Sequence, residues 1–93
     1  MRITNEEHQT ISNTIHQSDA GAAIYLFGSR ADDSAKGGDI DLLVLSKKIN
    51  LMDKLEILAQ LHQRIGERKI DIAIYPDTTH PFPSMVIQTG VPL

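Results

Sequence analysis

The chain has 93 residues, a net charge of −3, 41% hydrophobic residues and no cysteine. It therefore makes one small domain without disulfides or thiolate metal sites, and its acidic balance argues against sequence-independent nucleic-acid binding. No apolar run approaches the roughly 20 residues that span a bilayer, and the polar N-terminus is unlike a signal peptide, so we expect a cytoplasmic protein with no membrane contact.

The first half of the chain predicts one helix followed by two strands. Thr4 and Glu7 have the spacing of a capping box, which starts a helix that extends to about residue 19. The continuous apolar run at 22–27 predicts a buried strand. Residues 39–46 begin with alternating acidic and apolar side chains, which is typical of a strand with two different faces.

The second half predicts a helix, a strand and a shorter helix. Asn50 caps a helix over residues 51–65, and Gly66 stops it. A strand follows at 69–75, then a loop at 77–83, and Ser84 caps a last short helix that ends at Gly90. The predicted apolar stripe of the longer helix is Leu51, Leu55, Leu58, Ala59, Leu61 and Ile65.

These elements predict an α/β fold with a small mixed three-stranded sheet flanked by helices, as a single domain over residues 1–93. The two strands that a helix joins are expected to run parallel. We expect the tail at 91–93 to be loose. The sheet face that carries Leu43, Leu45 and Tyr75 has no further element to cover all of it, which predicts an exposed apolar patch for a ligand or a partner.

Three carboxylates are predicted to meet at one end of this sheet. Asp39 and Asp41 lie two residues apart on one strand, so they share a face, and Asp71 takes the same face of the next strand if the apolar faces align. A pair of acids kept for solubility would also give this pattern at a strand end. Neighbouring carboxylates repel each other, however, and Mg²⁺ is held by carboxylates together with substrate phosphates, so the trio favours a metal site.

The turn at Gly28-Ser29 supplies groups that suit phosphate. Gly28 lets the backbone approach a ligand closely, and Ser29 offers a hydroxyl and an N–H. Arg30 either contacts phosphate or solvates the loop. The four histidines show no metal-ligand spacing, and both a Gly-x-Ser-x-Gly elbow and a Walker-type loop are absent.

These motifs together resemble a known family. Gly28-Ser29-Arg30, then Asp39-Ile40-Asp41-Leu42, then Asp71 on a later strand is similar to the nucleotidyltransferase superfamily of DNA polymerase beta, with its palm-like fold. The small size resembles its minimal branch, the MNT proteins, which are usually encoded beside HEPN-domain proteins in toxin–antitoxin pairs. The resemblance covers residues 5–90.

The resemblance implies a role for each matching residue. Gly28, Ser29 and Arg30 would form the nucleotide site, Asp39 and Asp41 would bind two Mg²⁺ ions, and Asp71 would share the catalytic metal and help deprotonate the attacking hydroxyl. In this branch the implied reaction is transfer of AMP from ATP to a tyrosine of a HEPN ribonuclease toxin, which silences it. The protein would act as the antitoxin in a hetero-oligomer.

The chain departs from the family pattern in two places. Asp32 and Asp33 stand where a basic residue and a glycine are frequent, and Gly38 stands where serine is common. These departures bear on rate and nucleotide affinity rather than on the reaction class, because the three carboxylates are present.

Two further readings compete with the protein adenylyltransferase. The first is a non-catalytic antitoxin that neutralises a HEPN partner by forming a complex with it. The second is a small-molecule nucleotidyltransferase, such as an aminoglycoside-modifying enzyme. Those enzymes usually carry a second domain for the acceptor, for which 93 residues leave no room.

Overall fold

A computed structural model describes residues 3–28, 39–66 and 68–93. Within these ranges the elements follow one another as predicted, with one strand added. They are α1 (Asn5–Ser18), β1 (Ala23–Phe27), β2 (Ile40–Leu45), α2 (Leu51–Ile65), β3 (Ile70–Tyr75), α3 (Pro81–Thr89) and β4 (Val91–Pro92).

Two of the three predicted helix caps, at Thr4 and Asn50, are confirmed. The Glu7 N–H donates to Thr4 Oγ1 (3.0 Å), and the Thr4 N–H donates back to Glu7 Oε1 (2.8 Å). The same reciprocal pair joins Asn50 and Asp53 at the start of α2. α2 ends at Ile65 and is followed by Gly66, whose φ of 104° favours a residue without a Cβ atom.

The sheet has four strands in the order β3-β2-β1-β4. β1 is antiparallel to both of its neighbours, whereas β2 and β3 are parallel, as predicted for strands that a helix joins. The mixed α/β architecture is confirmed. The expectation of a loose tail is wrong, because β4 pairs with β1 and the Leu93 N–H donates to the Ile24 carbonyl (2.9 Å). A two-residue strand is too short to show any side-chain alternation.

α1 and α2 cover one face of the sheet. Alternate apolar side chains of β1, β2 and β3 meet Ile11 and Ile15 of α1 and Ile57 and Leu61 of α2 in one core. The predicted stripe of α2 is therefore partly wrong, since Leu51 and Leu55 are 68% and 52% exposed. Apolar residues lie on two sides of this helix, and their spacing alone does not say which side meets the sheet.

α3 covers the opposite face. Phe27 points away from the core that holds Leu26, and its ring meets Phe82 of α3 edge-on, with 5.5 Å between the ring centroids. Leu43 is consequently fully buried, so the prediction of an exposed patch there is wrong. The predicted cap at Ser84 is wrong, because α3 begins at Pro81, four residues before the start that this cap implies, and no side chain among the described residues caps it. Proline suits the first helical turn because the N–H that it lacks has no partner there.

The end of α3 lies very close to β1. A Cβ atom on Gly90 would lie 2.9 Å from the Val86 carbonyl oxygen and 3.2 Å from that of Leu26. Glycine therefore permits the chain to leave α3 and enter β4 directly beside β1.

Candidate active site

Three side chains form a row across the sheet where β2 and β3 begin. Asp41 on the central strand β2 pairs in register with Phe27 on one side and with Asp71 on the other. Register partners on adjacent strands point to the same face and lie about 5 Å apart. The structure thus brings Asp41 and Asp71 together, as predicted from the sequence.

Asp39 lies immediately before β2, on the same side as Asp41. Ile40 between them is completely buried in the core, which directs the two aspartates to the other face. Asp39 and Asp71 are exposed and Asp41 is half-buried. Carboxylate oxygens are thus presented at the beginning of two adjacent parallel strands.

Gly28 follows Phe27 directly at the end of β1, next to this row. Its φ of 135° lies in a region that residues with a side chain rarely adopt, so the chain turns here in a way that requires glycine. Ser29 and Arg30, together with Asp32, Asp33 and Gly38, lie outside the described residues. The predicted nucleotide-binding roles of Gly28, Ser29 and Arg30 remain predictions.

One basic side chain at this end was not among the site residues predicted from the sequence. Lys69 Nζ lies 4.0 Å from Asp71 Oδ2, and both side chains are well exposed. The signal was present in the sequence, because Lys69 and Asp71 are two residues apart at the start of a strand. It becomes informative only once the parallel register shows which residues lie beside them.

The donor set suits a hard divalent cation. Carboxylate oxygens are the ligands that Mg²⁺ takes from proteins, and one or two of them suffice when phosphate and water complete the shell. In the part of the chain that the structure describes, no group of three His, Cys, Asp or Glu side chains is arranged to hold a metal ion on its own. The metal-binding roles of Asp39, Asp41 and Asp71 therefore stay predictions.

A second polar cluster lies at the opposite end of β2. Ser46 Oγ donates to Asp19 Oδ2 (2.6 Å) and accepts from the backbone N–H groups of Lys48 and Ile49, each at 3.1 Å. The hydrogen bond from Ser46, followed by one from the Gly21 N–H, holds the pKa of Asp19 below its ordinary value. These groups are hydrogen-bonded to one another, and they join the two ends of the β1–β2 hairpin to the adjacent helices. We therefore assign them a structural role.

The fold and the carboxylates at the start of β2 and β3 define a domain of the nucleotidyltransferase class. The sequence matches the family model described as Polymerase beta, Nucleotidyltransferase over residues 9–93, and the chain therefore belongs to this family. The resemblance to the superfamily is thus confirmed. Membership supports transfer of a nucleotidyl group in general, in a family that generally uses Mg²⁺ and a nucleoside triphosphate.

No curated protein matches the chain. None of the helices in residues 3–28, 39–66 and 68–93 has the length and hydropathy needed to cross a bilayer.

Proposed function

We propose that this protein is a Mg²⁺-dependent adenylyltransferase that moves AMP from ATP to a tyrosine of a HEPN ribonuclease toxin and so acts as its antitoxin. The observation that carries the proposal is the register pair Asp41–Asp71 beside the Gly28 turn, in a chain of the nucleotidyltransferase family. The branch, the nucleotide and the acceptor rest on the resemblance of the motifs to the minimal nucleotidyltransferases.

Each of the three carboxylates has a defined task in this reaction. Asp39 and Asp41 hold the metal, and Asp71 shares it and accepts the proton of the attacking tyrosine hydroxyl. Its exposed position on β3 leaves Asp71 open to an acceptor. When bound, Mg²⁺ supplies electrophilic stabilisation of the entering and leaving oxygens.

The reaction is a single displacement at the α-phosphorus of the nucleotide. The tyrosine oxygen forms a bond to the α-phosphorus, the bond from that phosphorus to the bridging oxygen breaks, and pyrophosphate leaves. The backbone at Gly28 can approach the phosphates closely because no Cβ atom projects from this turn. The protein forms no covalent intermediate in this reaction. Its contribution is to position the attacking oxygen in line with the bond that breaks.

A non-catalytic antitoxin is the second candidate, and one observation favours it. Leu51, Met52 and Leu55 are large apolar side chains on the first turns of α2 and are 68%, 72% and 52% exposed. Such a group suits contact with another protein. A protein that works by covering its toxin would need this surface and not the carboxylates.

Intact-mass spectrometry separates the two candidates. The protein is mixed with ATP, Mg²⁺ and its HEPN partner, and the partner's mass is followed with time. We expect an increase by one or more AMP units that is lost in the Asp39→Asn/Asp41→Asn double variant. The matched control is Glu6→Gln, which removes one negative charge from an exposed position on the first turn of α1.

The outcomes are distinct. An increase that persists in the double variant would refute the assigned roles of these carboxylates. No increase, together with a stable complex and full neutralisation of the toxin by the double variant, would favour the binding module. Thermal unfolding of each variant shows whether a loss of activity follows from misfolding.

A further inference from the structure

Lys69 stands beside the row of carboxylates without being part of it. Its ammonium lies 4.0 Å from Asp71 Oδ2, with the two side chains 68% and 60% exposed. An ion pair at this distance in water is screened and contributes little to stability. Lys69 can therefore leave Asp71 at little cost when another anion is offered.

The backbone of Lys69 is held in the sheet even though its side chain is exposed. The Ile40 N–H donates to the Lys69 carbonyl oxygen (2.9 Å), and Ile40 pairs in register with Ile70. Continuing the parallel register by one residue places Lys69 opposite Asp39. Lys69 thus lies two residues before Asp71 and one strand away from Asp39, on the face that carries the carboxylates.

The negative charges at this end of the sheet favour a second cation besides the metal ion. Three carboxylates repel a polyphosphate, and a divalent ion that binds Asp71 also repels the ammonium now paired with that carboxylate. Both effects move the Lys69 ammonium from Asp71 toward the incoming phosphates. Lysine binds phosphate as a compact charge on a long, flexible stem, so the shift needs no backbone movement.

We propose that Lys69 is a polyphosphate-binding residue of this site, which exchanges Asp71 for the phosphate oxygens of the nucleotide when metal and nucleotide bind. This inference rests on the proposed function, because it requires a nucleoside triphosphate at the carboxylates. It adds a substrate-binding residue that the motifs themselves do not contain.

Calorimetric titration with Mg²⁺-tripolyphosphate and with Mg²⁺-ATP tests the proposal without any acceptor. Removing one charged hydrogen bond to phosphate should weaken binding of both by about tenfold in Lys69→Met. Lys69→Arg should keep most of the affinity. The matched control is Lys47→Met, which removes the same charge from an exposed position just beyond the other end of β2 and should change affinity by less than about twofold.

Acetylation of the wild-type protein gives a second measurement that needs no variant. Peptide mass spectrometry follows the rate at which acetic anhydride modifies Lys69. Mg²⁺-tripolyphosphate should slow modification of Lys69 and leave that of Lys47 unchanged, whereas Mg²⁺ alone should not slow it. A merely structural lysine would react at the same rate without additions, with Mg²⁺ alone and with Mg²⁺-tripolyphosphate.

The two proposals fail in different ways. If the wild-type protein binds Mg²⁺-ATP and Lys69→Met binds it equally well, the role of Lys69 is refuted and the proposed function stands. If the wild-type protein binds neither Mg²⁺-ATP nor Mg²⁺-tripolyphosphate, both are refuted. Acetylation of Lys69 that is unaffected by bound Mg²⁺-tripolyphosphate would also refute the role of Lys69.

Discussion

Replacing Gly90 with alanine tests how closely α3 approaches the sheet. The added Cβ atom would lie 2.9 Å from the Val86 carbonyl oxygen and 3.2 Å from the Leu26 carbonyl oxygen. Both are backbone atoms, and the Val86 oxygen already accepts a hydrogen bond from the Gly90 N–H at 2.7 Å. Neither oxygen atom can move aside as the end of a flexible side chain could.

The expected cost is that of overpacking against a rigid surface, about 1–3 kcal/mol. In a domain of this size each kcal/mol lowers the midpoint of thermal unfolding by about 4–8 °C. The free energy of unfolding is measured by urea titration, and the midpoint by circular dichroism. The strain falls where α3 meets β1, the strand that ends at Phe27 just before Gly28, so nucleotide binding should weaken together with stability.

Two other glycines provide controls for the same substitution. At Gly21 an added Cβ atom would meet only Asp19 Oδ1, at an ordinary 3.5 Å, so Gly21→Ala should change stability by less than about 0.5 kcal/mol. At Gly66 nothing lies within 4 Å, but the φ of 104° alone should cost Gly66→Ala about 1–2 kcal/mol. Equal unfolding midpoints for Gly90→Ala, Gly21→Ala and the wild type would refute the close approach of α3.

Two further predictions concern the core and the buried carboxylate. Leu61→Ala removes a fully buried side chain and should cost about 2–5 kcal/mol in urea unfolding, whereas Leu55→Ala removes a half-exposed one and should cost under about 1 kcal/mol; similar costs would contradict the orientation of α2. Because the hydrogen bond from Ser46 lowers the pKa of Asp19, the stability that it contributes is present above the unfolded-state pKa and is lost as the pH falls through the folded-state pKa. Asp19→Asn should therefore be less stable than the wild type at pH 7, and the difference should shrink below about pH 4; a constant difference from pH 7 to pH 3 would contradict this reasoning.

Local sequence signals predicted α1, α2 and the three longer strands of this fold well. The capping residues Thr4 and Asn50 mark helix starts because a side-chain oxygen in that position satisfies a backbone N–H three residues on. The alternation in β2 and β3 predicted that Asp41 and Asp71 share a face, since the apolar faces of both strands must lie on the same side of the sheet to be buried together.

The errors arose where long-range contacts decide the structure. Nothing local indicates that Val91 pairs with Leu26, or that α3 covers Leu43, because both depend on where the last part of the chain returns to the sheet. The ion pair between Lys69 and Asp71 was missed for a different reason. Two oppositely charged residues at a strand start are common on protein surfaces. Only their position beside Asp41 indicates that they belong to the candidate site.

The pairing of β1 with β4 has a consequence for synthesis on the ribosome. β1 is the second described element to be made, yet its partner residues Val91 and Pro92 follow all the others. Until they emerge, one edge of an apolar strand has unpaired backbone groups that can recruit another chain. Contacts between such distant segments also form slowly. A nascent chain paused shortly after α3 should therefore depend on chaperones more than its small size suggests.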